Sequence, residues 1–427
     1  MRILYDIVFF IFSIFYIPSF IAKGKHTHGF WSRFGSVPRE IQESLKNKKV
    51  IWVHAVSVGE VAGALRFLES LRVTFKDARF VLTTTTVTGH ETAAKFKKPE
   101  DTLLYFPADF RSAVKSFINA IHPSAVILME TEIWPNLVFE LDAKKIPLFI
   151  VNGRISDKAI KPYRRVRFLI QNVLKRFTAI GVQDEQMRSR FVELGAPADK
   201  VKITGNMKFD WRPPASPDPL VAAMQNYFKQ KQSVIFMAGS THEGEEERLF
   251  ETYTDLKARH PELVFVIAPR HPHRLESIET AAEKKKVRVC RISYILEGSQ
   301  DSLNAPQDAI YLLDKMGVLA SAYEMADLVF VGGSLVPVGG HNPIEPAFFG
   351  KPILFGAHMH NFKEIAKAFK EGGAALEVSE TNLAPTIERL LASRSEREAL
   401  GTSAKHLIKN HEGSVVKNTN LIAGVLK

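Results

Sequence analysis

Cysteine is almost missing from this chain of 427 residues; Cys290 is the single one. One thiol excludes an internal disulfide, fits a reducing compartment, and leaves no Cys-x-x-Cys metal site. Acids are in deficit, with 46 Asp and Glu against 57 Lys and Arg and a net charge of +11. That excess points to an anionic partner: a membrane surface, a phosphorylated ligand or a nucleic acid. Short-period repeats and low-complexity tracts are missing too. Long apolar runs are scarce, and only residues 3–22, ILYDIVFFIFSIFYIPSFIA, are long enough to span a bilayer. Lys23, Lys25 and Arg33 after that run favour a cytoplasmic position for the rest of the chain. A minimal basic start and the lack of a small-x-small site argue against a cleaved signal peptide. Asp6 and Pro18 disfavour a clean span, so an interfacial anchor is the alternative. The expectation is a membrane anchor at 1–23 and soluble domains beyond it.

The remainder is ample for large cores, at 45% hydrophobic residues. Short apolar strands alternate with helical patterns. The first set is expected at 50–55, 80–84, 103–106, 125–129, 148–151 and 178–183. The second is expected at 234–238, 264–268, 287–291, 309–312, 328–331 and 352–355. Between them lies Asn206 to Pro219, NMKFDWRPPASPDP, the most proline-dense stretch and a natural linker. Repeated strand–helix units predict an α/β chain of two doubly wound, Rossmann-like parallel domains with a cleft between them. The boundaries read as 24–205, a linker at 206–220, and 221–427. A last helix from about 403 to 427 is placed to pack back across the linker.

Ligands of open parallel sheets bind at the carboxyl ends of the strands. The richest such position is 326–347, ADLVFVGGSLVPVGGHNPIEPA. Gly332, Gly333, Gly339 and Gly340 permit sharp turns and close approach, and a helix start there favours a phosphate. A plainer reading makes Asn342, Pro343, Ile344 and Glu345 an N-cap with its capping-box acid. Capping accounts for one or two of these residues, not for four glycines. Glu60, in SVGE after the first strand, is either a carboxylate complementing a helix dipole or a general base. Glu130 and Glu132, in ETEIWP, are two acids at a strand end, and one can serve as a second catalytic carboxylate. Lys208, in GNMK at the linker, suits the stabilisation of developing negative charge. Arg270, after Pro269, suits a phosphate, and Gly317, between Met316 and Val318, marks another turn. Ser240 and Thr241 fit either a phosphate or a cap, and 83–89, TTTTVTG, fits contact with an acceptor. Lys158, Lys161, Arg164, Arg165, Arg167, Lys175 and Arg176 form either a solvated basic face or a surface for anionic lipid headgroups or a phosphorylated acceptor. The histidine pairs 271/273 and 358/360 suggest a metal, but no spaced carboxylates or Asp-x-Asp accompany them.

VSVGE at 56–60, METEIWPN at 129–136, NGRIS at 152–156, GNMK at 205–208, APRHPHR at 268–274 and GGSLVPVGGHNPIEPA at 332–347 resemble, in order and over nearly the whole chain, the bacterial 3-deoxy-D-manno-octulosonic acid (Kdo) transferases. That resemblance implies glycosyltransferase family 30 and a GT-B fold. It implies inverting transfer of Kdo from CMP-Kdo to the lipid A precursor lipid IVA, at the cytoplasmic face of the inner membrane, with no metal or other cofactor. By the same resemblance Glu60 is the base, and Glu130 and Lys208 assist the transition state. Pro269, Arg270, Met316, Gly317, Val318, Asn342, Pro343, Ile344 and Glu345 would hold CMP. Anionic membrane lipids are expected partners and nucleic acid is not. Two rival readings are a membrane-associated GT-B enzyme using a UDP-sugar and a non-enzymatic protein that binds anionic lipid.

Overall fold

The computed structural model describes residues 5–7, 9, 11, 14, 29, 31–214, 216, 218–293 and 308–426. The chain divides into two compact units, Met1–Asp210 with Glu412–Lys427, and Trp211–His411. Each unit holds a seven-stranded sheet, parallel throughout.

The first sheet contains β1 (Lys49–His54), β2 (Ala78–Thr84), β3 (Thr102–Tyr105), β4 (Pro123–Met129), β5 (Leu148–Gly153), β6 (Ala179–Val182) and β7 (Val201–Ile203). Their order is β3-β2-β1-β4-β5-β6-β7, so the winding reverses between β1 and β4. Ile51, Trp52 and Val53 are fully buried, as are Val126, Ile127 and Leu128. Continuous apolar runs of this kind are what a parallel sheet covered on both faces requires.

The second sheet contains β8 (Val234–Thr241), β9 (Leu263–Pro269), β10 (Arg288–Arg291), β11 (Ala309–Leu312), β12 (Leu328–Val331), β13 (Ile353–Phe355) and β14 (Ala375–Glu377). Its order is β10-β11-β9-β8-β12-β13-β14, with the reversal between β8 and β12. Crevices outside the strand ends at such reversals are where doubly wound sheets bind ligands. The helices around these strand ends and at the chain terminus include α1 (Val58–Thr74), α2 (Pro135–Ala143), α3 (Asp157–Arg165), α4 (Glu245–Lys257), α5 (Ile344–Phe348), α6 (Arg394–His411) and α7 (Ser414–Leu426).

The single terminal helix expected from about 403 to 427 is two helices, α6 and α7. They break at Gly413, which has φ +89°. The Asp210 carboxylate accepts the N–H groups of Gly413 and Val415 at 2.6 Å each and so starts α7. From there α7 packs on α1 within the first unit.

The expected membrane-spanning anchor is corrected. No helix among the described residues is long and apolar enough to cross a membrane. Much of 3–22 lies outside the described residues, but its first polar side chains are described. Tyr5 Oη donates to Asp109 at 2.8 Å, and Asn136 Nδ2 donates to Asp6 at 2.6 Å. Side chains bonded in this way to the first unit do not belong in a hydrocarbon core. The expectation of an inner-membrane protein with one N-terminal anchor and cytoplasmic catalytic domains falls with the span.

Candidate active site

In the first unit the candidate residues meet at the reversal between β1 and β4. After β1, Ser57 caps α1. Its hydroxyl accepts from the Glu60 N–H at 3.4 Å and donates to Glu60 Oε1 at 3.0 Å, while Glu60 Oε2 accepts the Val56 N–H at 2.9 Å. Glu60 is therefore the acid of a capping box. Its carboxyl is nonetheless held above the ordinary value, first by burial and then by repulsion from Glu130. A partly desolvated carboxylate crowded by another holds a proton more readily and is a stronger base.

Glu130 follows β4 with φ 55°. This left-handed conformation is costly for a residue with a side chain and recurs at functional sites. Its carboxylate accepts from Arg154 Nε at 2.6 Å. Asn152, at the end of β5, is also left-handed, with φ 55°. Its Oδ1 accepts the Met207 N–H at 3.0 Å, and Asn206 Oδ1 accepts the Lys208 N–H at 3.0 Å. Two asparagines thus fix the short turn that carries Lys208. Burial holds the Lys208 ammonium below its usual value, while Glu130 and Glu60 favour its charge. The three expected catalytic residues are brought into electrostatic range of one another.

Arg154 and Glu132 join them. The Glu132 carboxyl is pushed to about 7 by burial, then by Glu60, and Trp134 Nε1 donates to it at 3.0 Å. Arg154 was visible in the sequence only as part of a motif. Nothing in the sequence separates Glu132 from Glu130, because which of two neighbouring acids sits beside a third is a matter of packing.

In the second unit the glycine-rich loop follows β12, opposite the loop after β8 at the reversal. Gly332 is required by close approach, since a Cβ there would stand 2.5 Å from the Ser240 carbonyl oxygen. The N–H groups of Gly333, Ser334 and Leu335 donate to the fully buried Glu245 carboxylate at 2.7, 3.0 and 3.0 Å, and the His242 N–H joins at 3.0 Å. An internal carboxylate, the first residue of α4, thus engages the N–H groups of the glycine turn. Glu245 stands with Glu246 and Glu247 among the acids of a first helical turn, a pattern that does not single it out.

Asn342 Oδ1 accepts the Ile344 N–H at 3.2 Å, and Asn342 Nδ2 donates to Glu345 at 3.1 Å. The capping reading of this segment therefore holds in part, with Pro343 preceding the short α5. Arg270 is exposed after β9, next to the half-buried Pro269. Gly317, with φ +84°, turns the chain after β11 between the exposed Met316 and the buried Val318. No group of three or more His, Cys, Asp or Glu among the described residues is placed to hold a metal.

A family model described as 3-Deoxy-D-manno-octulosonic-acid transferase (kdotransferase) matches residues 28–211. A 3-deoxy-D-manno-octulosonic acid transferase of Haemophilus influenzae is 33% identical over 379 residues, covering 88% of this chain and 87% of its own. This chain belongs to the Kdo transferases. A second such transferase, from Rickettsia bellii, is 29% identical and covers 93% of this chain and 92% of its own. Among solved structures, a glycosyltransferase from Rickettsia africae ESF-5 superposes with a TM-score of 0.57 at 13% identity, over 89% of this chain and 99% of that one. That likeness concerns the fold alone, and the fold is α/β of the GT-B type. The Kdo transferase described here is accordingly a glycosyltransferase, and the sequence resemblance to this family is borne out.

Proposed function

We propose that this Kdo transferase takes Kdo from CMP-Kdo and adds it, with inversion, to a hydroxyl of the lipid A precursor lipid IVA in lipopolysaccharide assembly. Glu60 accepts the proton of the acceptor hydroxyl as its oxygen attacks the anomeric carbon. The bond from that carbon to the CMP phosphate breaks, and CMP leaves with the electron pair. Single displacement needs a base and no covalent nucleophile. Glu130 and Lys208 assist the transition state from the same strand ends. Pro269, Arg270, Met316, Gly317, Val318, Asn342, Pro343, Ile344 and Glu345 hold the nucleotide, with the Arg270 guanidinium toward the phosphate. No metal or other cofactor is assigned to the step.

The observation that carries this reading is the half-buried Glu60 carboxyl, within electrostatic range of Glu130 and of the Lys208 charge at a sheet reversal. Its second role in the capping box dictates the test. Glutamine preserves that box and cannot accept a proton. Glu60→Gln is expected to keep the melting point and CMP affinity and to lose turnover by about 10²–10⁴-fold. Turnover near wild type in that variant would remove Glu60 as the base.

A further inference from the structure

His242 follows β8 and His341 lies in the loop after β12, so the two flank the reversal of the second sheet. Their Nε2 atoms stand 2.8 Å apart, with ring planes 5° from parallel. At that separation one nitrogen carries a proton and the other is bare, because two protonated nitrogens would repel. Gly333, with φ +68°, makes room for both rings. A Cβ there would stand 3.1 Å from His341 Cδ2 and 3.2 Å from His242 Cδ2.

The surroundings are basic. His271 packs edge-on to His242 at 5.7 Å, and its ring stacks on His273 at 5.5 Å. Arg270 acts on both members of the pair, and Arg274 acts on His242. The acids nearby are engaged elsewhere. Glu246 receives Arg274 at 2.8 Å and the Thr241 hydroxyl at 2.9 Å, Glu245 receives the loop N–H groups, and Glu345 receives Asn342. Glu243 is exposed, and His360 Nε2 lies close to Gly339. Burial and neighbouring cations hold both histidines below the ordinary value, His341 at about 4. Two imidazoles held below their ordinary value are thus kept in a corner whose buried carboxylates are already engaged.

The proposed donor carries two anions. Its phosphate is matched by Arg270, and its sugar is a carboxylic acid. Resting on that donor reading, we propose that His242 and His341 together bind the carboxylate of the Kdo moiety. The arriving carboxylate offsets the repulsion from Arg270, Arg274 and His271. The pair then takes one proton from solvent, its Nε2–Nε2 bond opens, and each Nε2–H donates to a carboxylate oxygen. The histidines are specificity-determining residues: they read the sugar acid and leave the nucleotide to other groups.

The test compares two ligands on the full chain. CMP has the phosphate and no sugar carboxylate. His242→Gln, His341→Gln and the double variant are assayed for the KM of CMP-Kdo and for inhibition by CMP, with melting points as the folding control. The expected result is a rise in KM of about tenfold or more, with CMP inhibition changed less than about twofold. The wild-type KM is also expected to rise as pH rises, since binding takes up a proton, and the double variant's KM to be flat. This second readout needs only the wild type if a variant fails to fold. KM and CMP inhibition worsening together would put the phosphate on the histidines and overturn the proposal. So would an unchanged KM or a wild-type KM independent of pH. Failure of the wild type to use CMP-Kdo at all would instead sink the donor reading.

Discussion

Glu60 combines a local structural task with the catalytic one proposed for it. Its backbone and carboxylate close the first turn of α1, and the same carboxylate faces Glu130 and Lys208. Sequence offered both readings, and the geometry gives it the capping contacts without removing it from the charged cluster. His54, one strand position before the same turn, makes a separate prediction. It is fully buried, its Nδ1 lies 3.0 Å from Thr83 Oγ1, its ring stacks on Phe106 at 3.8 Å, and its Nε2 has no hydrogen-bond partner. Burial lowers its pKa to about 3 from an ordinary 6.5. Because the folded value is depressed, this stabilisation is fully present above about pH 6.5 and is lost as pH falls toward 3. Urea titrations at pH 6.5 and 4.5 are therefore expected to show the wild type losing about 2–3 kcal/mol more than His54→Asn. Equal losses would mean that His54 is protonated in the folded protein. At this scale the sequence was informative about placement, as for Glu60, Glu130 and Lys208, which lie within electrostatic range of one another. It was silent where burial decides, as for Glu132, Glu245 and the histidine pair.

Among elements, the apolar runs predicted both sheets well, because buried parallel strands are written as continuous hydrophobic segments. The two strands that escaped, β7 and β14, are three-residue edge strands whose patterns, VKI and ALE, are too short and too polar to stand out. The terminal helix was read as one because Gly413 alone does not announce a break. The break depends on Asp210, which is 203 residues away in sequence and leaves no mark that a local pattern could register. Asp210 acts as a cap supplied from elsewhere in the chain. Asp210→Ala is expected to cost roughly 1–2 kcal/mol, the usual range for a lost N-cap, and to loosen α7 from α1. Hydrogen exchange should then quicken in 414–426 while the second sheet keeps its protection. Unaltered exchange there would show that α7 is held by its packing alone, through contacts such as the fully buried Ile422.

For the whole molecule, the two units repeat one logic. Each is a seven-stranded parallel sheet, and each keeps its unusual chemistry at the strand ends where the winding reverses. The left-handed Glu130 and Ser240, with φ 55° and 59°, follow β4 and lie at the end of β8. Backbone strain at such points is tolerated where it serves a site. The first unit supplies carboxylates and a depressed lysine, suited to moving a proton. The second supplies Arg270 and the histidine pair, to which the two negative charges of the proposed donor are assigned. The proposed reaction of this Kdo transferase moves Kdo from CMP-Kdo onto lipid IVA. Its most direct measurement incubates the purified full chain with CMP-Kdo and lipid IVA and reads product masses and anomeric configuration. The predicted result is a mass gain of one or more Kdo residues, with inversion at the anomeric carbon. A retained configuration, or no mass gain from CMP-Kdo alongside transfer from a UDP-sugar, would contradict it.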